Sequence, residues 1–388
     1  MPVRLGSRTG STLFHAPAPP VRLRSVAGPP RVRCVRLAGA AYPRPEDHPI
    51  GVSRCGEVTI DGERIDTGYA ALAAYAGATR YEVLADRDDG TVVRCGDTVA
   101  KAHAGDSDPD ALAVRIRIAG DAALAGVLLT PLRAGLGRVE DRAVSLWPYG
   151  APVAPDRPED APWEAAAELV AGLHRTPLHR LPAPVPPMRG PAKLARALRR
   201  LAAAHPPAAP ATADTDASTD ASTDTDARAM ARFVRSAAAT LPGWARGEGA
   251  QPPGGSLCHG DLHLGQLVRG PAGRWRLIDI DDLGVGAPAW DLARPAAWYA
   301  AGLLDTETWL RFLDAYRAAD GPAAGPPGCD PWPELDVAAR ALTVQTAALA
   351  LAKAAGEGRR LDDGERLMVD ACARIASLPT DLEPGAPS

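Results

Sequence analysis

The sequence predicts an α+β chain of two lobes, one β-rich and one mainly helical, on three observations. Residues 81–103 hold three β-prone runs separated by Asp89-Gly90 and Gly96-Asp97. Short turns of that composition join neighbouring antiparallel strands. From Ala161 onward the apolar residues recur at helical spacing, as in WEAAAELVAGLH at 163–174. The pattern changes near Trp147–Gly150, which we read as the hinge. Strands gathered in one part and helices in the other argue against an alternating βαβ chain.

Each element has its own signal. EVTIDGERID (57–66) reads as a small hairpin around Asp61-Gly62, and Tyr69–Ala78 as a short Ala-rich helix. YEVLADR (81–87), TVVRC (91–95) and TVAKAH (98–103) form the meander, followed by an amphipathic helix at Asp110–Ala119. GVLLTPL (126–132) and RAVSLWPYG (142–150) complete five strands. Long helices are expected at 304–319, 334–355 and 362–377. Residues 1–45 carry eight Arg and no Asp, Glu or Lys, with several Pro and no clear period. Such a stretch cannot offset its ordering entropy, so a disordered basic tail is expected over 1–56. Its acid-free composition also resembles an organellar transit peptide, which the Pro content and weak amphipathicity oppose. Residues 205–227 contain a repeated DAST and read as a solvated linker between two helices. The expected organisation is a tail (1–56), a β-rich lobe (57–150), a helical lobe (151–380) and a short tail (381–388).

Composition narrows the partners. The net charge of −4 lacks the concentrated basic charge of a nucleic-acid-binding domain. No apolar run of about 18 residues is free of charge and Pro, so no membrane span is expected. The six cysteines are scattered without a CxxC pair. That suggests neither a zinc ribbon nor a disulfide framework and fits a reducing, cytoplasmic setting. Only three lysines, Lys101, Lys193 and Lys353, stand against forty arginines, and asparagine is absent. Both scarce residues use AT-rich codons, consistent with a GC-rich coding background. A lysine kept against that background marks a candidate site where a compact ammonium serves and a planar guanidinium does not.

The chemistry concentrates in LCHGDLHLGQLV (257–268) and LIDIDDLGVGAPAWDLA (277–293). Leu267-Val268 and Leu277-Ile278 have strand character and suggest a hairpin, with Asp261 in the loop before it and Asp279 at its end. Phosphoryl transfer needs this kind of arrangement. Its transition state is loose, so a protein mainly positions groups and neutralises charge. One carboxylate orients the attacking hydroxyl and accepts its proton, a role that suits Asp261. A second carboxylate and an amide oxygen hold Mg²⁺, a hard ion that takes oxygen ligands, a role that suits Asp279 and Gln266.

HGDLHLGQ followed by IDIDDLGVGAPAWDLA resembles the aminoglycoside phosphotransferase and choline kinase group of small-molecule kinases, whose pattern is HGDxHxGN, then IDWxDxxxGDPxxDLA. The coarse element order extends the resemblance over roughly residues 75–380. The catalytic loop is also similar to that of bacterial maltokinases, which use Gln at this position. The resemblance implies a two-lobed protein-kinase-like fold and transfer of the γ-phosphoryl group of ATP or GTP, with Mg²⁺, to a small-molecule hydroxyl. It makes Asp261 the catalytic base, Asp279 and Gln266 metal ligands, and Asp291 the buttress of the catalytic loop. Lys101 stands on the third strand, where the family's phosphate-contacting lysine belongs. The hinge Leu146–Gly150 would meet the adenine edge, with Trp147 and Tyr149 flanking the base unless they serve as core packing.

The sequence departs from that pattern in four places. Gln266 replaces Asn, Ala287 replaces Asp, the turn DRDDG (86–90) has one Gly and three acids, and the helix after Lys101 lacks an obvious Glu. These departures support a second reading, a pseudokinase that binds nucleotide or a partner without turnover. His259 reads as structural, and His263 is open between a structural residue or wall on the acceptor side and a functional one. Asp282 is expected beside the metal acid and Asp281 in solvent. His259 and His263 around Asp261 would also suit a two-metal hydrolase, but no second His cluster follows.

Overall fold

The computed structural model describes residues 67–378 except 88, 155–156, 158–159, 208–220 and 253–254, and only the backbone of 67 and 221–224. The hairpin expected at 57–66 and both expected tails lie outside the described residues.

Helix α1 (Thr67–Tyr75) leads into a meander of β1 (Glu82–Arg87), β2 (Gly90–Cys95) and β3 (Thr98–His103). With β4 (Gly137–Val139) and β5 (Arg142–Pro148) these make an antiparallel sheet of order β1-β2-β3-β5-β4. Strand alternation sorts its side chains. Ala100, Ala102, Val144 and Leu146 pack with Leu72 and Ala73 of α1 in a small core. Lys101 and Ser145 pair across β3 and β5 and therefore share the opposite face, with His103 two residues along. Helix α2 (Pro109–Ala119) starts where Asp108 accepts hydrogen bonds from the amides of Asp110 and Ala111, with Pro109 at the first helical position.

The fourth strand is not where the sequence suggested. GVLLTPL (126–132) is irregular, and only Leu128 makes an isolated bridge, to Leu277. Its apolar side chains mark burial rather than strand pairing: Leu128 is fully buried in the helical lobe's core. Pro131 also denies the segment one ladder donor. The strand itself is Gly137–Val139, too short and too polar to stand out.

Tyr149 and Gly150 carry the chain from β5 to β6 (Ala151–Pro152), which belongs to a different sheet with β8 (Leu267–Arg269) and β9 (Trp275–Leu277). A Cβ on Gly150 would sit 2.5 Å from Val268 Cγ2, so the crossing strand must approach β8 without a side chain. A third small sheet pairs β7 (Ser256–Cys258) with β10 (Gly284–Gly286).

Seven helices complete the second lobe: α3 (Trp163–His174), α4 (Gly190–Ala204), α5 (Ala221–Ala239), α6 (Ala289–Ala301), α7 (Thr306–Ala318), α8 (Trp332–Glu357) and α9 (Asp363–Ala376). Helix α5 begins inside the stretch expected to be linker, at Ala221 rather than after 227. The added residues, ASTDTDA, are mostly Ser, Thr and Asp, so their own helix propensity does not account for the extension. Helix α8 is long and apolar enough to cross a membrane by length and composition, although two thirds of that window is buried within the protein. It packs on α4, α5, α6 and α9, which explains its apolar character. Cys95, Cys258, Cys329 and Cys372 are all free thiols.

Candidate active site

The loop after β7 is fixed by Asp291, at the start of α6. Its buried carboxylate accepts hydrogen bonds from the amides of His259 (2.6 Å) and Gly260 (2.8 Å). His174 Nε2 lies 3.0 Å away, and its Nδ1 meets the Tyr316 hydroxyl at 2.8 Å. Tyr316 Oη also accepts from the Ala323 amide, so its own proton goes to Nδ1 and leaves Nε2–H to donate to Asp291. Burial alone would raise the Asp291 carboxyl, but His174 and the loop amides hold it below the usual range. Gly260 has φ +85°, and a Cβ there would lie 2.4 Å from the Asp282 carbonyl oxygen. The loop can therefore turn against the Asp279–Asp282 segment only with glycine at this position.

Asp261 projects from this loop with both carboxylate oxygens occupied. Oδ1 accepts from Arg294 Nη2 and Oδ2 from Lys193 Nζ, each at 2.7 Å. Burial opposes ionisation, but Lys193 and Arg294 outweigh it and hold the carboxyl well below the usual range. The same Lys193 ammonium reaches Asp282 Oδ2 at 2.8 Å. Asp282 has only a distant second cation, Arg189 Nε at 3.7 Å from Oδ1. Burial, with Asp261 adding repulsion, leaves its carboxyl above the ordinary value.

Across the loop, Asp279 adopts a left-handed backbone (φ 61°) at the end of β9. Lys101 Nζ donates to its Oδ1 at 2.7 Å and lies 3.0 Å from Asp281 Oδ2. Burial would lower the Lys101 pKa, but the two aspartates raise it above its ordinary value. Gln266 Nε2 faces Asp279 Oδ2 at 3.4 Å, so amide and carboxylate adjoin. The Asp279 side chain keeps 38% of its surface exposed, against 16% for Asp281. Asp279 offers carboxylate oxygens of the kind Mg²⁺ takes, and Gln266 would add an amide oxygen only with its amide group turned over, since its nitrogen faces Asp279.

Asp281 corrects the sequence expectation. It is buried rather than solvated, because His103 Nδ1 (2.9 Å) and Lys101 both engage it. Those partners hold its carboxyl well below the usual range against burial. His103 Nε2 in turn meets Ser145 Oγ at 2.7 Å. Helix α2 supplies no carboxylate to Lys101: Asp108 caps the helix, and buried Arg115 donates instead to the carbonyls of Leu283 and Pro187.

The structure thus gathers Lys101, Asp261, Gln266, Asp279, Asp282 and Asp291, with His259 and His263 on the connecting loop. His259 Nε2 donates to the Ile278 carbonyl, tying that loop to the end of β9. His263 Nδ1 accepts from the Gly265 amide, which caps the turn leading to Gln266. Trp147 and Tyr149 are engaged otherwise. Trp147 is buried, with Nε1 donating to Ser145 Oγ, and the Arg94 guanidinium covers the Tyr149 ring at 3.5 Å. Sequence reasoning passed over His103 and Arg294, and noted Lys193 only as one of three scarce lysines without placing it at the site. His103 lies two residues beyond Lys101, on the same strand face.

A sheet-bearing lobe whose lysine reaches an aspartate at the end of a hairpin in a helical lobe defines a kinase-like phosphotransferase. The model of the phosphotransferase enzyme family (APH) matches residues 58–332, and the chain belongs to that family. It is a small-molecule phosphotransferase. Its fold is similar to that of aminoglycoside phosphotransferase APH(4)-Ia, at 13% identity and TM-score 0.50, covering 80% of this chain and 97% of that one. A choline/ethanolamine kinase family protein from Mesorhizobium loti is 19% identical, with TM-score 0.48, and the match covers 81% of this chain and 94% of that one. Spectinomycin phosphotransferase APH(9)-Ia, solved with ADP and spectinomycin, is 13% identical, with TM-score 0.47, over 77% and 93% of the two chains. No curated protein matches the chain.

Proposed function

We propose that the protein transfers the γ-phosphoryl group of ATP to a hydroxyl of a small molecule, with Asp261 as the base. The observation that carries this reading is the pair of aspartates flanking one hairpin. Asp261 lies in the loop before β8, and Asp279 follows β9 within reach of Lys101. Asp261, ionised and fixed by two cations, is suited to orient an acceptor hydroxyl and take up its proton. Lys101 offers a compact positive charge to the nucleotide phosphates, a role it could assume by exchanging Asp279 for phosphate oxygens. Asp279 and Gln266 would hold Mg²⁺, which when bound neutralises phosphate charge. Asp291 and His174 keep the catalytic loop in shape.

The missing helix carboxylate beside Lys101 favours a second reading, a chain that binds nucleotide without turnover. One experiment separates the two: ADP release from MgATP in a panel of alcohols, with Asp279→Ala as control. Alcohol-stimulated release that disappears in Asp279→Ala supports the transferase. Nucleotide binding without release under any condition supports the second reading.

A further inference from the structure

The carboxylates on the Asp261 side of the site are already neutralised by cations of the chain itself. Lys193 Nζ sits between Asp261 Oδ2 (2.7 Å) and Asp282 Oδ2 (2.8 Å). Arg294 covers Asp261 Oδ1 at 2.7 Å, and Arg189 lies 3.7 Å from Asp282 Oδ1. Three cations therefore face two carboxylates. The acids of α7 do not redress this balance. Asp305 caps its own helix through the Thr308 amide, and Glu307 and Asp314 are exposed. Glu164 of α3 is paired with Arg311. Beyond Arg294 the wall is apolar: Trp163, Leu262, Trp298 and Phe312 line one hollow beside the loop.

We infer that Lys193 is an internal counter-ion that sets the charge class of the acceptor: an alcohol uncharged or anionic near its reacting hydroxyl, and not an ammonium-bearing one. This rests on the reading of Asp261 as the base, since that reading puts the acceptor beside Lys193. A substrate ammonium would have to displace Lys193 from two close contacts or lie against Arg294, and like charges repel strongly where water is scarce. An uncharged or acidic alcohol meets no such competitor. Lysine suits the role better than arginine. A compact ammonium fits between two carboxylate oxygens, whereas a guanidinium presents a planar fork.

The test needs no natural substrate. Ethanolamine and ethylene glycol differ in charge but share a hydroxyl, and their binding to the full chain is measured by calorimetry and thermal shift without Mg²⁺, at ionic strength matched with sodium chloride. In the wild type, ethanolamine binds no better than ethylene glycol. In Lys193→Ala, which frees Asp261 Oδ2 and Asp282 Oδ2, ethanolamine binds at least tenfold more tightly than to the wild type, and ethylene glycol is unaffected. Lys193→Arg keeps the positive charge, so ethanolamine still binds no better than ethylene glycol, although the fork seats less well between the two carboxylates. If Lys193→Ala does not fold, Lys193→Ser carries the same expectation. Equal ethanolamine affinity in the wild type and the truncated variant, or a wild type that prefers ethanolamine, overturns the inference. The base reading fails separately, through undiminished alcohol-dependent turnover in Asp261→Asn.

Discussion

Two of the chain's three lysines perform the same geometric task on opposite sides of one hairpin. Lys101 bridges Asp279 and Asp281 from the sheet, and Lys193 bridges Asp261 and Asp282 from α4. The third, Lys353, makes only an i,i+4 contact with Glu357 at 3.8 Å on the surface. The two bridges differ in what else holds the carboxylates. Asp279 has one close cation, a neighbouring amide and the larger exposure, so it can exchange lysine for a metal or a phosphate-bound ion. Asp261 has a second close cation, Arg294, at 2.7 Å. The difference suggests how one motif divides its labour: the looser carboxylate accepts an ion, and the tighter one keeps its orientation for proton transfer.

Removing the looser carboxylate should have the largest effect. Asp279→Ala lowers kcat by roughly 10³-fold or more, because several kcal/mol of charge stabilisation are lost, and added Mg²⁺ restores little. If steady-state kinetics show recovery at high Mg²⁺, the ion is held elsewhere. Next comes the lysine that touches it. Lys101→Met lowers kcat by roughly 10²-fold. Lys101→Arg raises the KM for ATP and fails to restore the rate, because a fork cannot replace a point charge. Wild-type kinetics in Lys101→Arg would remove the distinction between the two cations.

The frame shared by both sides can be broken at Asp291. Asp291→Ala leaves two loop amides without their acceptor and should cost about 3–5 kcal/mol, the range for breaking a buried charged pair. Denaturant unfolding measures it, and a loss below about 1 kcal/mol would contradict the buttress. A smaller effect concerns His263, whose imidazole is pushed down to about 4, first by burial and then by Arg294. An unfolded chain takes up this proton near pH 6.5, whereas the folded ring stays neutral until about 4. Its contribution to stability is therefore fully present above pH 6.5 and is lost as pH falls toward 4. The fall in Tm between pH 7 and pH 5 should be smaller in His263→Gln than in the wild type, and an equal fall would contradict the burial of a neutral ring.

Much of this arrangement was legible in the chain. The Asp-Gly and Gly-Asp turns announced the meander, and the strand character of Leu267-Val268 and Leu277-Ile278 announced the hairpin. Contacts that join distant segments were not legible. Nothing local marks Arg294 as a partner of Asp261, or His103 and Lys101 as what buries Asp281. An aspartate among three in four residues looks solvated until a lysine and a histidine of a sequence-distant strand are brought against it. The strand expected at 126–132 failed for a related reason. An apolar run records burial, and burial alone does not say whether the backbone joins a ladder.

The central claim is that Asp261 orients and deprotonates the acceptor hydroxyl, and Asp261→Asn tests it most directly. The substitution keeps the shape of the side chain and removes its basicity. Steady-state kinetics with MgATP and any alcohol that stimulates ADP release should show kcat reduced by roughly 10²–10⁴-fold, the usual contribution of general base catalysis. The KM for ATP should stay near the wild-type value, and the melting curve should remain cooperative. A variant that turns over at the wild-type rate, folded and with unchanged ATP affinity, would contradict the account.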